Sequence, residues 1–123
     1  LSCLDDFAIV PLVVGRASAQ EVAQVLEHLW GGPETLIIIS SDLSHYHDYD
    51  TATRMDSATS RAIETLAPND IGQEGACGRV PIHGLLTVAK KNGLHVRMLD
   101  LRNSGDTAGS RDQVVGYGSY VIT

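Results

Sequence analysis

Residues 35–48 read Thr-Leu-Ile-Ile-Ile-Ser-Ser-Asp-Leu-Ser-His-Tyr-His-Asp, so that an apolar run is followed at once by acids, hydroxyls and imidazoles. The apolar part, residues 35–41, is typical of a buried strand in a parallel sheet, because such strands are covered on both faces. In open α/β sheets, ligands bind just beyond the carboxyl ends of the strands. The polar residues 40–48 therefore predict a functional site at the end of this strand.

The rest of the chain predicts a β-α-β-α-α-β-β order of elements. Ser18 and Glu21 have capping-box spacing, which predicts the start of the first helix. Gly93 fits the left-handed position that follows the last helix. Because strands and helices share the chain in this order, we expect an α/β fold with a mixed, mostly parallel sheet flanked by helices. The predicted strands cover residues 7–14, 35–41, 95–101 and 114–122, and the predicted helices begin near Ser18, Thr51 and Pro81.

Composition and charge narrow the functional classes. The chain has 123 residues, which suits one domain, and its formal net charge is −6. We expect no nucleic-acid partner, because phosphate binding needs a cationic surface. No apolar stretch approaches the roughly 20 residues of a membrane span, and residues 1–6 lack the basic and apolar regions of a signal peptide. We therefore expect a soluble, cytoplasmic protein that is not bound to a membrane.

His45 is the first candidate functional residue. Asp42 and Ser44 are close to it in sequence, and an acid–imidazole pair is the usual way to orient and tune a general base. The plainer alternative for Asp42 is a turn or helix cap. The spacing of His45 and His47, followed by Asp48, also suggests a metal site, although the H-x-H-x-D-H pattern of metallo-hydrolases is not met. Taken alone, His47 is interpreted as a solvated loop residue.

Cys77 is the second candidate. It lies at the N-terminus of a predicted helix and close to Arg79. Both the helix dipole and the guanidinium favour a thiolate there. A thiolate is a nucleophile or a soft metal ligand, whereas most free cysteines are small buried apolar residues. For Cys3, only the interpretation as a small buried apolar residue applies. Two cysteines do not make a disulfide framework. The loop of residues 103–109 predicts either an anion-binding loop or a set of turns that supports a site.

Four motifs occur in an order that resembles Memo-like proteins, the B component of the AmmeMemoRadiSam group. They are Ser-Ser-Asp-Leu-Ser-His at residues 40–45, Ala-Cys-Gly-Arg-Val-Pro-Ile at 76–82, Asn-Ser-Gly-Asp-Thr-Ala-Gly at 103–109 and Val-Val-Gly-Tyr at 114–117. The His-containing motifs of the family's first half are absent from this sequence. The resemblance therefore implies one Memo-like domain over residues 1–123, which is the C-terminal part of a longer domain.

The resemblance implies a fold shared with class III extradiol ring-cleavage dioxygenases, which hold non-haem Fe(II) with two histidines and an acid. In Memo-like proteins the comparable ligands are two histidines and the cysteine of the Cys-Gly-Arg motif, which matches Cys77. By the same resemblance His45 is the catalytic proton-transfer residue, and Asp42 is its orienting neighbour. The residues expected to bind substrate are Arg79, Asp106 and Ser44.

We therefore predict a metal-binding protein with redox or oxygen chemistry on a small molecule. Fe(II) is the expected metal, with Cu or Zn as alternatives because a thiolate is a softer ligand than a carboxylate. A shared fold does not establish ring cleavage, or any catalysis. One alternative is a non-catalytic module that binds a peptide or a partner protein such as a radical-SAM enzyme. Another is a metallo-hydrolase that uses His45, His47 and Asp48. We also expect a homo-oligomer, because an incomplete sheet exposes an edge and an apolar face.

Overall fold

Three helices and three strands make up the main regular structure of residues 6–123, the part of the chain that the computed structural model describes. The helices are α1 (Ala19–Leu29), α2 (Tyr49–Glu64) and α3 (Arg79–Lys91). The strands are β1 (His45–His47), β2 (Val96–Asn103) and β3 (Val114–Ile122), and short 3-10 helices cover Pro68–Asp70 and Ser104–Asp106. Within these residues, no helix has both the length and the apolar character needed to cross a membrane.

Local signals set the helix ends, and the three predicted helices are confirmed. Ser18 caps α1 in a full capping box with Glu21, and the hydrogen bonds from Ser18 hold the pKa of the Glu21 carboxyl below its usual range. Helix α2 begins after Asp48, whose side chain accepts a hydrogen bond from the backbone N–H of Thr51. After α3, Gly93 has a φ of 67°, the left-handed conformation that glycine adopts without strain.

The sheet has the strand order β1-β3-β2, and both pairs are antiparallel. The predicted strands near residues 95–101 and 114–122 are confirmed as β2 and β3, but the expected mostly parallel sheet was wrong for the described residues. Residues 104–113 connect β2 to β3 directly, which suits a hairpin, whereas a parallel pair needs a crossover of a dozen or more residues. The dioxygenase-like arrangement implied by the resemblance is not confirmed by this sheet.

The predicted strands over residues 7–14 and 35–41 are not formed in the described structure. A strand needs a partner for its backbone N–H and C=O groups, and within the described residues β3 pairs with β1 at Val114 and Val115 and with β2 over Gly116–Ile122, not with either of these segments. Residues 35–41 nevertheless alternate between partly buried and exposed side chains, as a strand with one covered face does. On the uncovered face, Leu36 is 78% exposed and Ile38 is 76% exposed.

Two clusters of buried side chains within the described residues both include α3. The first joins α1 to α3, and Val14 and Ile37 pack against it. The second joins α2 to α3 and reaches the sheet through Val96 and Tyr120. The buried members of the first cluster are Val22, Ala23, Leu26 and Val88, and those of the second are Ala62, Ile63, Ile71 and Leu86.

The close approach of α1 to α3 depends on Gly84. A Cβ at this position would lie 2.6 Å from Val22 Cγ1 and 3.1 Å from the carbonyl oxygen of Ala19. We expect Gly84→Ala to lower the free energy of unfolding by about 1–3 kcal/mol through overpacking, although alanine is the better helix former. Urea denaturation measures the loss. Gly72→Ala is the matched control, because a Cβ at position 72 would meet nothing within 4 Å. Equal stability of the two variants would contradict the prediction.

Candidate functional site

Asp42, His45 and Cys77 come together at the protein surface. One ligand atom from each of the three side chains lies within 4.8 Å of the others, and no other such group of three His, Cys, Asp or Glu residues occurs in the described part of the chain. The Nε2 atom of His45 is 3.4 Å from Oδ2 of Asp42, and their side chains are 36% and 48% exposed. Cys77 is also exposed, so its interpretation as a small buried apolar residue was wrong.

Two backbone segments that are distant in sequence hold Cys77 beside Asp42. The backbone N–H of Cys77 donates to the carbonyl oxygen of Asp42, and the N–H of Asp42 donates to Sγ of Cys77, each at 3.2 Å. Ser41 Oγ accepts a hydrogen bond of 2.8 Å from the N–H of Gly78 and lies 3.5 Å from the same Sγ atom. Gly78 allows this approach, because a Cβ there would lie 2.7 Å from that of Ser41. Sequence reasoning missed Ser41, although it belongs to the motif that contains Asp42.

Strand β1 places His45 in the cluster and leaves His47 out of it. The register between β1 and β3 shifts between the two histidines, and the intervening Tyr46 has a φ of 62°. The alternation that would put both rings on one face is therefore interrupted. Asp48 caps α2, and its hydrogen bonds with Thr51 lower the pKa of its carboxyl. The three residues of the metallo-hydrolase alternative are therefore not gathered into one cluster.

Ser44 and Arg79 lie near the cluster in different environments. Ser44 has no exposed surface, and its hydroxyl has no hydrogen-bond partner among the described residues. It faces the interior, next to the site rather than in it. Arg79 begins α3, two residues after Cys77, and is partly buried. Substrate binding by Ser44 and Arg79 stays a prediction, and Cys3 lies outside the described residues.

Asp106 supports the loop of residues 103–109. Its carboxylate accepts hydrogen bonds from the hydroxyl of Tyr49 at 2.6 Å and from the backbone N–H of Asn103 at 2.9 Å. These bonds lower the pKa of Asp106, with the Tyr49 bond as the larger cause, and the same bond raises the pKa of Tyr49. Arg111 stacks over the Tyr49 ring, 4.4 Å from its centroid. The loop contains the 3-10 helix Ser104–Asp106, and both anion binding by the loop and substrate binding by Asp106 stay predictions.

Comparison with known proteins identifies the family. Residues 1–121 match the family described as Memo-like protein, and the chain belongs to it. It is 34% identical to a MEMO1 family protein of Methanosarcina mazei, with 95% of this chain and 48% of that protein covered. It is 32% identical to one of Aeropyrum pernix, with 91% and 44% covered. It is 33% identical to one of Thermoplasma volcanium, with 95% and 46% covered. The chain therefore spans about half the length of the curated relatives it matches.

The bond between Tyr49 and Asp106 makes stability depend on pH. Because folding lowers the pKa of Asp106, its contribution is fully present above the unfolded pKa of about 3.9 and is lost as the pH falls through the lower folded value. We expect Asp106→Asn to lower the urea midpoint at pH 7. As the pH falls below about 4, the urea midpoint of the variant should approach that of the unsubstituted protein. Urea titrations across this range measure the difference.

Tyr49→Phe provides the control for this prediction, because it removes the hydroxyl that donates to the carboxylate, whereas Asp106→Asn removes the charge of the acceptor. When two residues share one interaction, the double variant loses less stability than the two single variants lose in sum. At pH 7 the double variant should therefore lose less stability than the sum of the losses in the two single variants. Fully additive losses, or a loss in Asp106→Asn that persists unchanged at low pH, would show that the bond does not carry the effect.

Proposed function

We propose that this chain contributes a transition-metal site, with Cys77, His45 and Asp42 as its ligands on this side. The single observation that carries the proposal is the convergence of the three donor atoms within 4.8 Å. Zinc bonds of about 2.0–2.3 Å place tetrahedral ligand atoms roughly 3.5 Å apart, so modest side-chain rotation would close the cluster around an ion. His45 and Asp42 are partly exposed and therefore have room for this rotation.

The donor set fits a soft or borderline metal ion. One thiolate, one imidazole and one carboxylate suit Fe(II), Zn(II) or Cu, whereas Mg²⁺ and Ca²⁺ prefer oxygen ligands alone. All three side chains keep a solvent-facing part, which leaves coordination positions for water, substrate or ligands from another polypeptide. A metal bound there would supply Lewis-acid or redox chemistry, and oxygen chemistry on a small molecule is the reaction class that the family resemblance favours.

His45 has a second role open to it when it does not bind metal. Its Nε2 atom faces Oδ2 of Asp42, so a proton on Nε2 would be shared with the carboxylate and Nδ1 would be left as an acceptor. An imidazole oriented in this way can take a proton from a bound small molecule and return it. Asp42 then acts through His45 by fixing its tautomer, while Cys77 alone binds the metal from this chain.

Removing Cys77 tests the metal proposal. We expect Fe(II), Zn(II) or Cu(I) to bind the 123-residue chain under anaerobic conditions. Cys77→Ser should weaken that binding by roughly tenfold or more, because a neutral hydroxyl replaces the thiolate ligand. Isothermal titration calorimetry measures the affinity. His45→Gln should also weaken binding if the imidazole is a ligand, and should leave it intact if His45 only transfers protons.

His47→Gln is the matched control for these titrations, because His47 lies in the same short strand but outside the cluster. Metal affinity should stay within about threefold of the unsubstituted value. A large loss in His47→Gln combined with a harmless Cys77→Ser would favour the metallo-hydrolase alternative. Failure of the unsubstituted chain to bind any of the three metals would contradict the proposed function.

A partner-binding role is the second candidate, and an exposed apolar surface favours it. This surface, which we call the apolar face, comprises the exposed apolar side chains of residues 7–13 together with Leu36 and Ile38. Val13 is 99% exposed, and an apolar face of this kind marks an interaction site. We propose that a second copy of the chain covers it, which makes the protein a homo-oligomer; a peptide or a radical-SAM enzyme is the other partner class. Its large exposed side chains are Phe7, Ile9, Val10, Leu12, Val13, Leu36 and Ile38.

The size of the particle in solution tests self-association. At micromolar concentration we expect light scattering to give a mass of at least two chains. Ile38→Glu should shift the particle towards the monomer, because a carboxylate in an apolar interface is costly to bury. Gln24→Glu places the same charge on the exposed side of α1 and should leave the mass unchanged. A monomeric unsubstituted chain would contradict self-association and leave the apolar face to another polypeptide.

A further inference from the structure

Asp56 is a buried carboxyl group in the middle of α2, and nothing in the proposed site uses it directly. Asp56 is only 3% exposed. None of the ion pairs within residues 6–123 includes it. A carboxyl group is costly to bury without hydrogen bonds, and aspartate is rarely found fully buried without a partner. The contacts of Asp56 should therefore show what it does for the fold.

One oxygen of the carboxyl group holds the backbone just before His45. Oδ1 of Asp56 accepts a hydrogen bond of 2.9 Å from the backbone N–H of Ser44, and both residues are buried. The other oxygen lies against Gly116 of β3, where any Cβ would overlap the carboxylate. Gly116 is therefore the residue that makes room for Asp56, and a larger side chain there would displace the carboxyl group from Ser44.

Gly116 holds the same short segment from the opposite side. Its carbonyl oxygen accepts from the N–H of Leu43, and its own N–H donates to the carbonyl oxygen of Ser44, each at 2.9 Å. These two bonds leave the N–H of Ser44 without a partner in the sheet, and Asp56 provides that partner. Every backbone N–H of residues 43–44 is therefore fixed, by β3 or by α2.

Residues 43–44 are the whole connection between Asp42 and His45, so their backbone sets how these two side chains are placed relative to each other and to Cys77. We propose that Asp56 is a positioning residue of the candidate metal centre. Its carboxyl group fixes the Leu43–Ser44 backbone and thereby the spacing of the Asp42 and His45 ligand atoms. This assignment rests on the proposed function, since it assumes that those atoms bind a metal.

Two substitutions separate the hydrogen bond from the shape of the side chain. Asp56→Asn keeps an Oδ1 acceptor in nearly the same volume, whereas Asp56→Leu keeps the number and branching of the side-chain heavy atoms without an acceptor. The probe is Co(II), whose visible spectrum reports coordination geometry and whose sulfur-to-metal band reports the bond to Cys77. We expect Asp56→Leu to weaken Co(II) binding by roughly tenfold or more and to alter both bands, as loss of an outer-shell partner does. Asp56→Asn should restore both towards the unsubstituted protein.

Ser60→Ala is the control for a merely structural effect. Ser60 lies one turn after Asp56 on the same helix, is also 3% exposed, and donates its hydroxyl hydrogen bond to Sδ of Met98 rather than to residues near the site. Its loss should lower the thermal midpoint without changing the Co(II) affinity or spectrum. Amide exchange supplies a second readout, because the Ser44 N–H should exchange faster in Asp56→Leu and stay protected in Asp56→Asn.

The outcomes distinguish this assignment from the proposed function. A folded Asp56→Leu protein that binds Co(II) like the unsubstituted chain, with the same spectrum, would overturn the positioning role alone. If that variant does not fold, Asp56→Ser takes its place, because its shorter side chain does not reach the Ser44 N–H, and the same result would overturn the assignment. An unsubstituted chain that binds neither Co(II) nor any of Fe(II), Zn(II) and Cu(I) would overturn the proposed function and this assignment together.

Discussion

The reciprocal hydrogen bonds between Asp42 and Cys77 are the interaction on which the candidate site depends. They join two segments that are 35 residues apart in sequence, the stretch that follows residues 35–41 and the start of α3. Because each bond uses a backbone N–H, the contact does not depend on a particular side chain at position 42. The identity of Asp42 is therefore free to serve the site, while Cys77 contributes both a structural acceptor and an exposed thiol.

Strand β3 also constrains the position of His45. It pairs with β1 on one side and β2 on the other, so a single strand links the site to the larger part of the sheet. At Gly116 this strand also meets the carboxyl group of Asp56 from α2. The position of His45 thus depends on α2, which follows β1 closely in sequence, and on β3, which is distant in sequence. The contacts with β3 are stable only in the folded chain.

The sequence predicts well what is decided locally. Ser18 and Glu21 determine the start of α1 within four residues of chain, and Gly93 marks the end of α3 in the same way. The motif that contains Asp42 and His45 also predicts their pairing, since only two residues separate them. The expected parallel direction was wrong because the order of elements does not identify which strands pair, although the short connection of residues 104–113 between the last two strands is typical of an antiparallel pair. Asp56 gave no signal, as a lone acid in a helix normally lies in solvent.

The proposed association and the proposed metal binding involve one stretch of chain. Residues 35–41 present Leu36 and Ile38 to solvent, and their last member, Ser41, is bonded to the start of α3 beside Asp42. A polypeptide that paired with this stretch would restrict its motion and thereby reduce the entropy that the ligand atoms lose when they close around an ion. The coupling is reciprocal, so a bound ion that orders Asp42 would favour association to the same extent. The proposed metal site and the proposed association are therefore compatible with each other, since residues 35–41 link the two along the chain.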